Sequence, residues 1–192
     1  MNRPKQNNYV IMITINCHRR TIRLNGFDYS NNGYYFVTIC TQNRINYFCD
    51  VGADRCVCPN INETGKLIDY WWNEIPKHFE NVLLDEFVVM PNHIHGIIII
   101  GNGRTHDLLT PGRTHRSTPT TTTVGNIIQW FKTVTTNKYI KNIKINNWPK
   151  FDRRLFQRNY YEHIIRNEKE YLRIKEYIKL NPEMWNRDRN NF

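Results

Sequence analysis

The stretch Phe87-Val-Val-Met-Pro-Asn-His-Ile-His-Gly-Ile-Ile-Ile-Ile100 constrains the fold of this chain more than any other. Its second half is β-branched, holds a single Gly, and reads as a buried strand. Pro is excluded from the middle of a paired strand. Met90-Pro91-Asn92 therefore places the histidines at the beginning of the strand or just past an irregularity. Successive strand side chains alternate between faces, so His93 and His95 share one face. Two imidazoles side by side on a rigid element make half of a metal site. The same spacing also suits satisfied core histidines. A third ligand and a reacting group must come from elsewhere in the chain.

At 192 residues the chain is one domain, or one domain plus tails, and long enough to bury a core without staples. Its net charge of +10 and its 11 Tyr, 9 Phe and 5 Trp point to a polyanionic partner, nucleic acid first. The five cysteines are odd in number, and Cys56-Val-Cys58 lacks the second pair of a structural zinc site; reduced thiols are expected. Val10–Ile15 is too short to span a bilayer and lacks the features of a signal peptide. A cytoplasmic location with no membrane association is the expectation.

Strands are expected at Tyr34–Thr41, after the turn signal Asn31-Asn32-Gly33, at Val82–Met90 and at His93–Ile100. Residues 43–62 read as loop. A helix from Gly65-Lys66 carries Leu67, Ile68, Trp71, Trp72 and Ile75 at helical spacing and is disturbed by Pro76. Residues 104–123 are rich in Thr, Pro and Arg and read as a mobile insertion loop. A second helix over roughly residues 124–140 would bury Ile127, Ile128, Phe131 and Val134 and present Lys132, Lys138 and Lys141 as its basic side. Lys150–Gln157 is expected as a short strand. A final helix should start after the N-cap Asn167, anchor through Leu172, Ile174 and Ile178, and stop at Pro182. The pattern predicts an α+β fold, ferredoxin-like, an antiparallel sheet with helices packed on one face. The expected organisation is a basic N-terminal extension (1–24), a domain over 25–185 and a C-terminal tail (186–192).

Tyr177 and Asn181 lie four apart, on the same face of the last helix. An amide oxygen at the helix end is a reasonable ligand for Mg²⁺ or Mn²⁺, and a Tyr one turn away could reach a substrate on that metal. Tyr on a helix is also commonly core, and Asn before Pro a helix stop.

From about Arg19 to Trp185 the chain resembles the REP-associated tyrosine transposases of the single-tyrosine HUH nuclease superfamily. The resemblance rests on Thr21-Ile-Arg-Leu-Asn-Gly-Phe-Asp-Tyr-Ser30, Tyr35-Phe-Val-Thr-Ile-Cys-Thr-Gln-Asn43 and Phe87–Gly96. It also rests on Gln157-Arg-Asn-Tyr-Tyr-Glu-His-Ile-Ile-Arg-Asn-Glu168 and Glu176-Tyr-Ile-Lys-Leu-Asn-Pro182. One departure is Phe156, where the family often has Trp. The resemblance implies that His93 and His95 bind a divalent cation, Mg²⁺ or Mn²⁺, and that Asn181 completes the site. It implies that Tyr177 is the nucleophile that cleaves and rejoins single-stranded, hairpin-forming DNA through a 5′-phosphotyrosine link. No nucleotide cofactor is expected. The chain would act as a monomer or as a homodimer that trades the tyrosine helix. Arg19, Arg20 and Arg23 could clamp phosphates. Arg158, Asn159, Tyr160 and His163 should border the active site; with Asn92, Lys132 and Gln157 they are the candidates for DNA contact. Two other readings compete: a non-catalytic nucleic-acid-binding module on a ferredoxin-like fold, and a metal-dependent phosphodiesterase that uses water.

Overall fold

The computed structural model describes residues 32–50, 61–101, 122–188 and Asn190. Arg19, Arg20 and Arg23, residues 104–121 of the insertion and the N-terminal extension lie outside the described residues. The element order is β1 (Gly33–Cys40), α1 (Glu63–Asn73), α2 (Ile75–His78), β2 (Val82–Met90), β3 (His93–Ile100), α3 (Val124–Asn146), β4 (Tyr161–Ile165) and α4 (Glu168–Leu180). Short 3₁₀ turns cover Gln42–Arg44 and Trp185–Arg187.

The four strands form one antiparallel sheet in the order β2-β3-β1-β4. This is the split βαβ order of a ferredoxin-like α+β domain, as expected. The β2 and β3 strands form a hairpin whose two-residue link is Pro91-Asn92, so the Pro sits in the turn and His93 opens β3. The β3 strand lies second in the sheet, and all of its residues are buried.

The sheet faces follow from strand alternation. Tyr35, Val37 and Ile39 of β1, with Ile94, Ile98 and Ile100 of β3, pack against Ile68 and Trp72 of α1 and Ile127, Ile128 and Phe131 of α3. Tyr34, Phe36, Ile97, Ile99 and Ile165 form a second cluster with Ile174 and Ile178 of α4. The two crossover helices thus share one face, and α4 adds a layer on the other. Side-chain caps mark the helix starts: Asn62 accepts from the Gly65 N–H, Thr123 from Asn126, and Asn167 from Glu170.

Three local expectations are corrected. Lys150–Gln157 is not a strand: it contributes one isolated bridge, Phe156 to Thr41, and the fourth strand is Tyr161–Ile165. Only the latter segment continues the β1 ladder, with Tyr161 opposite Thr38 and Ile165 opposite Tyr34. Leu172 is 56% exposed and does not anchor α4. Its place is taken by Tyr171, which packs with the second cluster and sets its ring 5.4 Å from that of Tyr34. Among the described cysteines Cys40 is a buried thiol, whereas Cys49 is disulfide-bonded and departs from the reduced state expected. Among the described residues, no helix is long and apolar enough to cross a membrane.

Gly96 explains how α1 seats on the sheet. A Cβ at this position would lie 2.3 Å from Cζ2 of Trp72. The Trp72 indole therefore rests on bare backbone and stacks on Phe87, the cross-strand partner of Gly96, at 4.6 Å between centroids. Gly96→Ala is expected to destabilise the fold by about 1–3 kcal/mol through overpacking. The cost should shrink when Trp72→Leu is combined with it in a double-mutant cycle read by urea unfolding. An unchanged midpoint in the single variant would refute this packing role.

The β2–β3 register shifts between Leu84 and Phe87, and the irregularity holds Asp85 and Glu86. Both engage α4. Asp85 accepts from Lys175 Nζ at 2.7 Å and from the Tyr171 hydroxyl, and Glu86 lies 3.5 Å from Lys179 Nζ. Burial pushes the Asp85 carboxyl up, but hydrogen bonds from Lys175 and Tyr171 outweigh it and hold the group below its ordinary 3.8. A carboxylate depressed in the folded state contributes stability above its unfolded pKa, and that stability is lost as pH falls through the lower folded value. Asp85→Asn should therefore lower the melting temperature at neutral pH and flatten its decline below pH 3.8. Thermal melts across that range check it, and parallel acid limbs for the two proteins would refute it.

Candidate metal and nucleophile site

The two histidines open β3 on the face covered by α4. Their ring centroids are 4.5 Å apart and their Nε2 atoms 3.1 Å apart, and both side chains are buried. Each Nδ1 is held from behind. His93 Nδ1 lies 2.9 Å from Asn92 Oδ1. The Asn92 amide nitrogen donates to the carbonyls of Arg44 (3.1 Å) and Asn190 (2.7 Å), which fixes its oxygen as the acceptor. His93 therefore carries its proton on Nδ1 and presents a lone pair at Nε2. His95 Nδ1 lies 2.8 Å from Oγ1 of Thr38, its cross-strand partner on β1, and Phe36 stacks on the ring at 5.4 Å. Such partners behind imidazoles orient metal-binding histidines.

Burial, then the neighbouring His95 and the charge of Arg44, push His93 well below 6.5. Burial, then Arg44, push His95 down to about 3. Both rings are thus neutral at physiological pH, the form that ligates metals. The 3.8 Å approach of Asp188 Oδ2 to His93 Nε2 is consequently a meeting of two ligand atoms and not an ion pair. Ligand atoms of His93, His95 and Asp188 all lie within 4.8 Å of one another. Burial raises the Asp188 carboxyl, against hydrogen bonds from Asn190 and Asn181.

The α4 helix brings the other two expected residues to this place. The Tyr177 hydroxyl lies 3.3 Å from His95 Nε2, and its ring meets Phe36 edge-on at 6.1 Å. Asn181, just past the last turn, is buried and hydrogen-bonded to Asp188. Its Oδ1 is buried with no hydrogen-bond partner among the described residues. Such an orphan costs about 1–3 kcal/mol unless something satisfies it. Two neutral imidazoles, a carboxylate and an unsatisfied amide oxygen make a mixed nitrogen and oxygen donor set that fits a divalent cation. His93, His95, Tyr177 and Asn181 therefore gather within a single chain.

Asp188 was not singled out in the sequence, where Arg187-Asp188-Arg189 reads as part of a charged tail. The one available signal is Trp185, a large aromatic immediately before that tail. It is buried, and its ring lies 6.0 Å from that of His93. The segment expected as a tail thus brings Asp188 and Asn190 to the histidines.

The candidates for DNA contact are distributed differently. Asn92 is 1% exposed and orients His93; it is not open to a ligand. Lys132 is no exposed basic residue of α3. Its Nζ donates to the carbonyls of Gln157 (2.9 Å), Arg158 (3.4 Å) and Asn159 (3.1 Å) and lies over the Tyr160 ring. Burial lowers its pKa to about 8, which leaves the ammonium charged at neutral pH and facing three carbonyls. Tyr160 packs with the cluster on the α1 and α3 face, away from the histidines. Its neighbour Tyr161 is on the α4 face, opposite Thr38 and 6.2 Å from Phe36. Gln157 is half-buried and its N–H donates to the Cys40 carbonyl, whereas Arg158 and Asn159 are exposed. His163 lies on β4 opposite Phe36, with Nε2 2.8 Å from Glu170 at the start of α4.

No family model matches the chain. Among solved structures, the fold is similar to that of a REP-associated tyrosine transposase bound to a REP hairpin, with a TM-score of 0.50 and 17% identity. That likeness covers 81% of this chain and 70% of the other. In sequence, the chain is 41% identical over 175 residues to an uncharacterised protein of Haemophilus influenzae. The match spans 89% of this chain and 92% of that protein. Identity of this degree over nearly the whole of both chains shows that this protein belongs to the same family as the Haemophilus influenzae protein.

Proposed function

We propose that this protein is a metal-dependent DNA strand transferase of the REP-associated tyrosine transposase type, acting in the cytoplasm on single-stranded, hairpin-forming DNA. The observation that carries the reading is the Tyr177 hydroxyl at 3.3 Å from His95 Nε2, inside a buried cluster of His93, His95, Asp188 and Asn181. A tyrosine held at a candidate metal site by a separate element supports use of its oxygen as a nucleophile. The fold shared with a transposase bound to a REP hairpin supports DNA as the substrate.

His93, His95 and Asp188, with Asn181 Oδ1, would hold Mg²⁺ or Mn²⁺. When bound, the cation would polarise the phosphodiester and favour the ionised form of a hydroxyl beside it. Tyr177 supplies its oxygen to phosphorus in line with the 3′-oxygen. The new bond is Tyr177 O–P, and the P–O3′ bond breaks. The tyrosine gives up its proton, and the leaving oxygen takes one up as a 3′-hydroxyl. The 5′-phosphate stays on the protein as a phosphodiester, so another 3′-hydroxyl can attack it and restore Tyr177. Phe36 and the turns of α4 around Ile174 and Ile178 hold the tyrosine ring in place. The packing of α4 on its own sheet supports a tyrosine that serves its own histidines, and with it the monomer of the two expected states.

Purified protein with Mn²⁺ should form a denaturation-resistant adduct with single-stranded DNA carrying the hairpin that flanks its gene. Tyr177→Phe should lower adduct formation by on the order of 10⁴-fold or more while DNA binding persists. An adduct formed by the variant would sink the assignment of Tyr177. Cleavage without any covalent species would instead favour a water-using phosphodiesterase.

The metal site has its own test. Asn92→Ala should weaken Mn²⁺ binding by about 10–100-fold in titration calorimetry, because His93 loses its orienting partner. His93→Ala and Asp188→Ala should weaken it further. Equal affinity in all four proteins would argue against this site.

A further inference from the structure

The turn Gln42–Arg44 leaves β1 beside the histidines, and two consecutive residues in it, Asn43 and Arg44, have a φ of 56°. Asn tolerates the left-handed region; Arg adopts it rarely, and such strain clusters at ligand sites. The surroundings over-determine it. The Thr41 hydroxyl donates to the carbonyls of Ile45 (2.8 Å) and Asn92 (3.0 Å), and the Arg44 carbonyl accepts from Asn92 Nδ2. The turn is thereby tied to the same Asn92 that orients His93.

This backbone sends the half-buried Arg44 side chain to the site. Its Nη1 donates to Asn190 Oδ1, and the Nδ2 of that same carboxamide lies 3.5 Å from His93 Nε2. One small planar group therefore spans the gap between the guanidinium and the histidine pair. No carboxylate of the described residues forms an ion pair with Arg44. Its charge nevertheless reaches the centre, where it disfavours protonation of both imidazoles and of Asp188. A guanidinium has five N–H donors in a fork that matches two oxygens of a phosphate. A non-bridging oxygen of a diester can accept from Arg44 as Asn190 Oδ1 now does.

We infer that Arg44 is the substrate-binding cation of this site, and that it holds a non-bridging oxygen of the DNA phosphodiester attacked by Tyr177, in the place now taken by the Asn190 carboxamide. This rests on the strand-transfer reading and names the group that grips the reacting phosphate. It differs from a general basic surface in acting at one linkage only.

The experiment uses the full chain with Mn²⁺ and the flanking-hairpin oligonucleotide, after the cleaved linkage has been mapped with the wild type. Arg44→Gln should slow adduct formation roughly tenfold or more, the loss of one charge-assisted contact. It should also lower the slope of log affinity against log salt by about 0.7. Arg44→Lys should recover part of both, and thermal melts identify any loss of fold. A second oligonucleotide carries a neutral methylphosphonate at the cleaved linkage only. On it, wild type and Arg44→Gln should bind equally, because the charged oxygen is gone. Adduct formation by Arg44→Gln at the wild-type rate would overturn the inference alone. So would a binding deficit on the methylphosphonate as large as on the natural linkage. Absence of an adduct with the wild type would overturn the strand-transfer reading and this inference with it.

Discussion

The β3 strand is covered on both faces, and the alternation of its side chains must therefore satisfy two layers at once. Toward α1 and α3 it offers Ile94, Ile98, Ile100 and the bare backbone of Gly96, on which Trp72 rests. Toward α4 it offers His93, His95, Ile97 and Ile99. A slip of one residue would exchange the two sets and put imidazoles under Trp72. The two-residue turn at Pro91-Asn92 and the matched ladders with β1 and β2 hold this register. Both the hydrophobic core and the polar centre depend on it.

The polar centre is expensive by construction. Two imidazoles, a carboxylate and an amide are withdrawn from water, where unsatisfied groups cost most. The cost is contained by giving each His Nδ1 a partner, Asn92 for His93 and Thr38 for His95, and by keeping both rings neutral. What remains unsatisfied is Asn181 Oδ1, beside Asp188. A divalent cation would answer this residual polarity. The ion pairs and hydrogen bonds of Asp85 and Glu86 with α4 fix the helix that carries Tyr177.

Legibility from sequence tracked how local the determining physics was. The strands Val82–Met90 and His93–Ile100, the N-cap at Asn167, and the i, i+4 pairing of Tyr177 with Asn181 need only periodicity and neighbouring residues. The fourth strand was misplaced because Lys150–Gln157 and Tyr161–Ile165 both carry apolar and aromatic residues. Only pairing with β1 chooses between them. That choice decides that Tyr161 faces the centre while Tyr160 packs behind the sheet. Lys132 reads as a surface cation until the chain folds three carbonyls onto its ammonium. Leu172 fits a buried stripe by spacing, yet the axial rotation of α4 is set by Ile174, Ile178 and the grip of Asp85 on Tyr171 and Lys175.

By itself the amino-acid sequence determined the α+β class, the paired histidines on one face of a strand and a tyrosine one turn before an asparagine on a capped helix. Each of these follows from contacts within a few residues along the chain. Only the tertiary structure decided that the helix lies on its own sheet with the Tyr177 hydroxyl at His95. It alone decided that Asp188 enters from the C-terminal segment and that a strained turn sends Arg44 toward the same centre. Those arrangements arise between residues as much as 146 positions apart, as for Arg44 and Asn190. Burial and partner geometry select them, and neither leaves a periodic mark in the sequence.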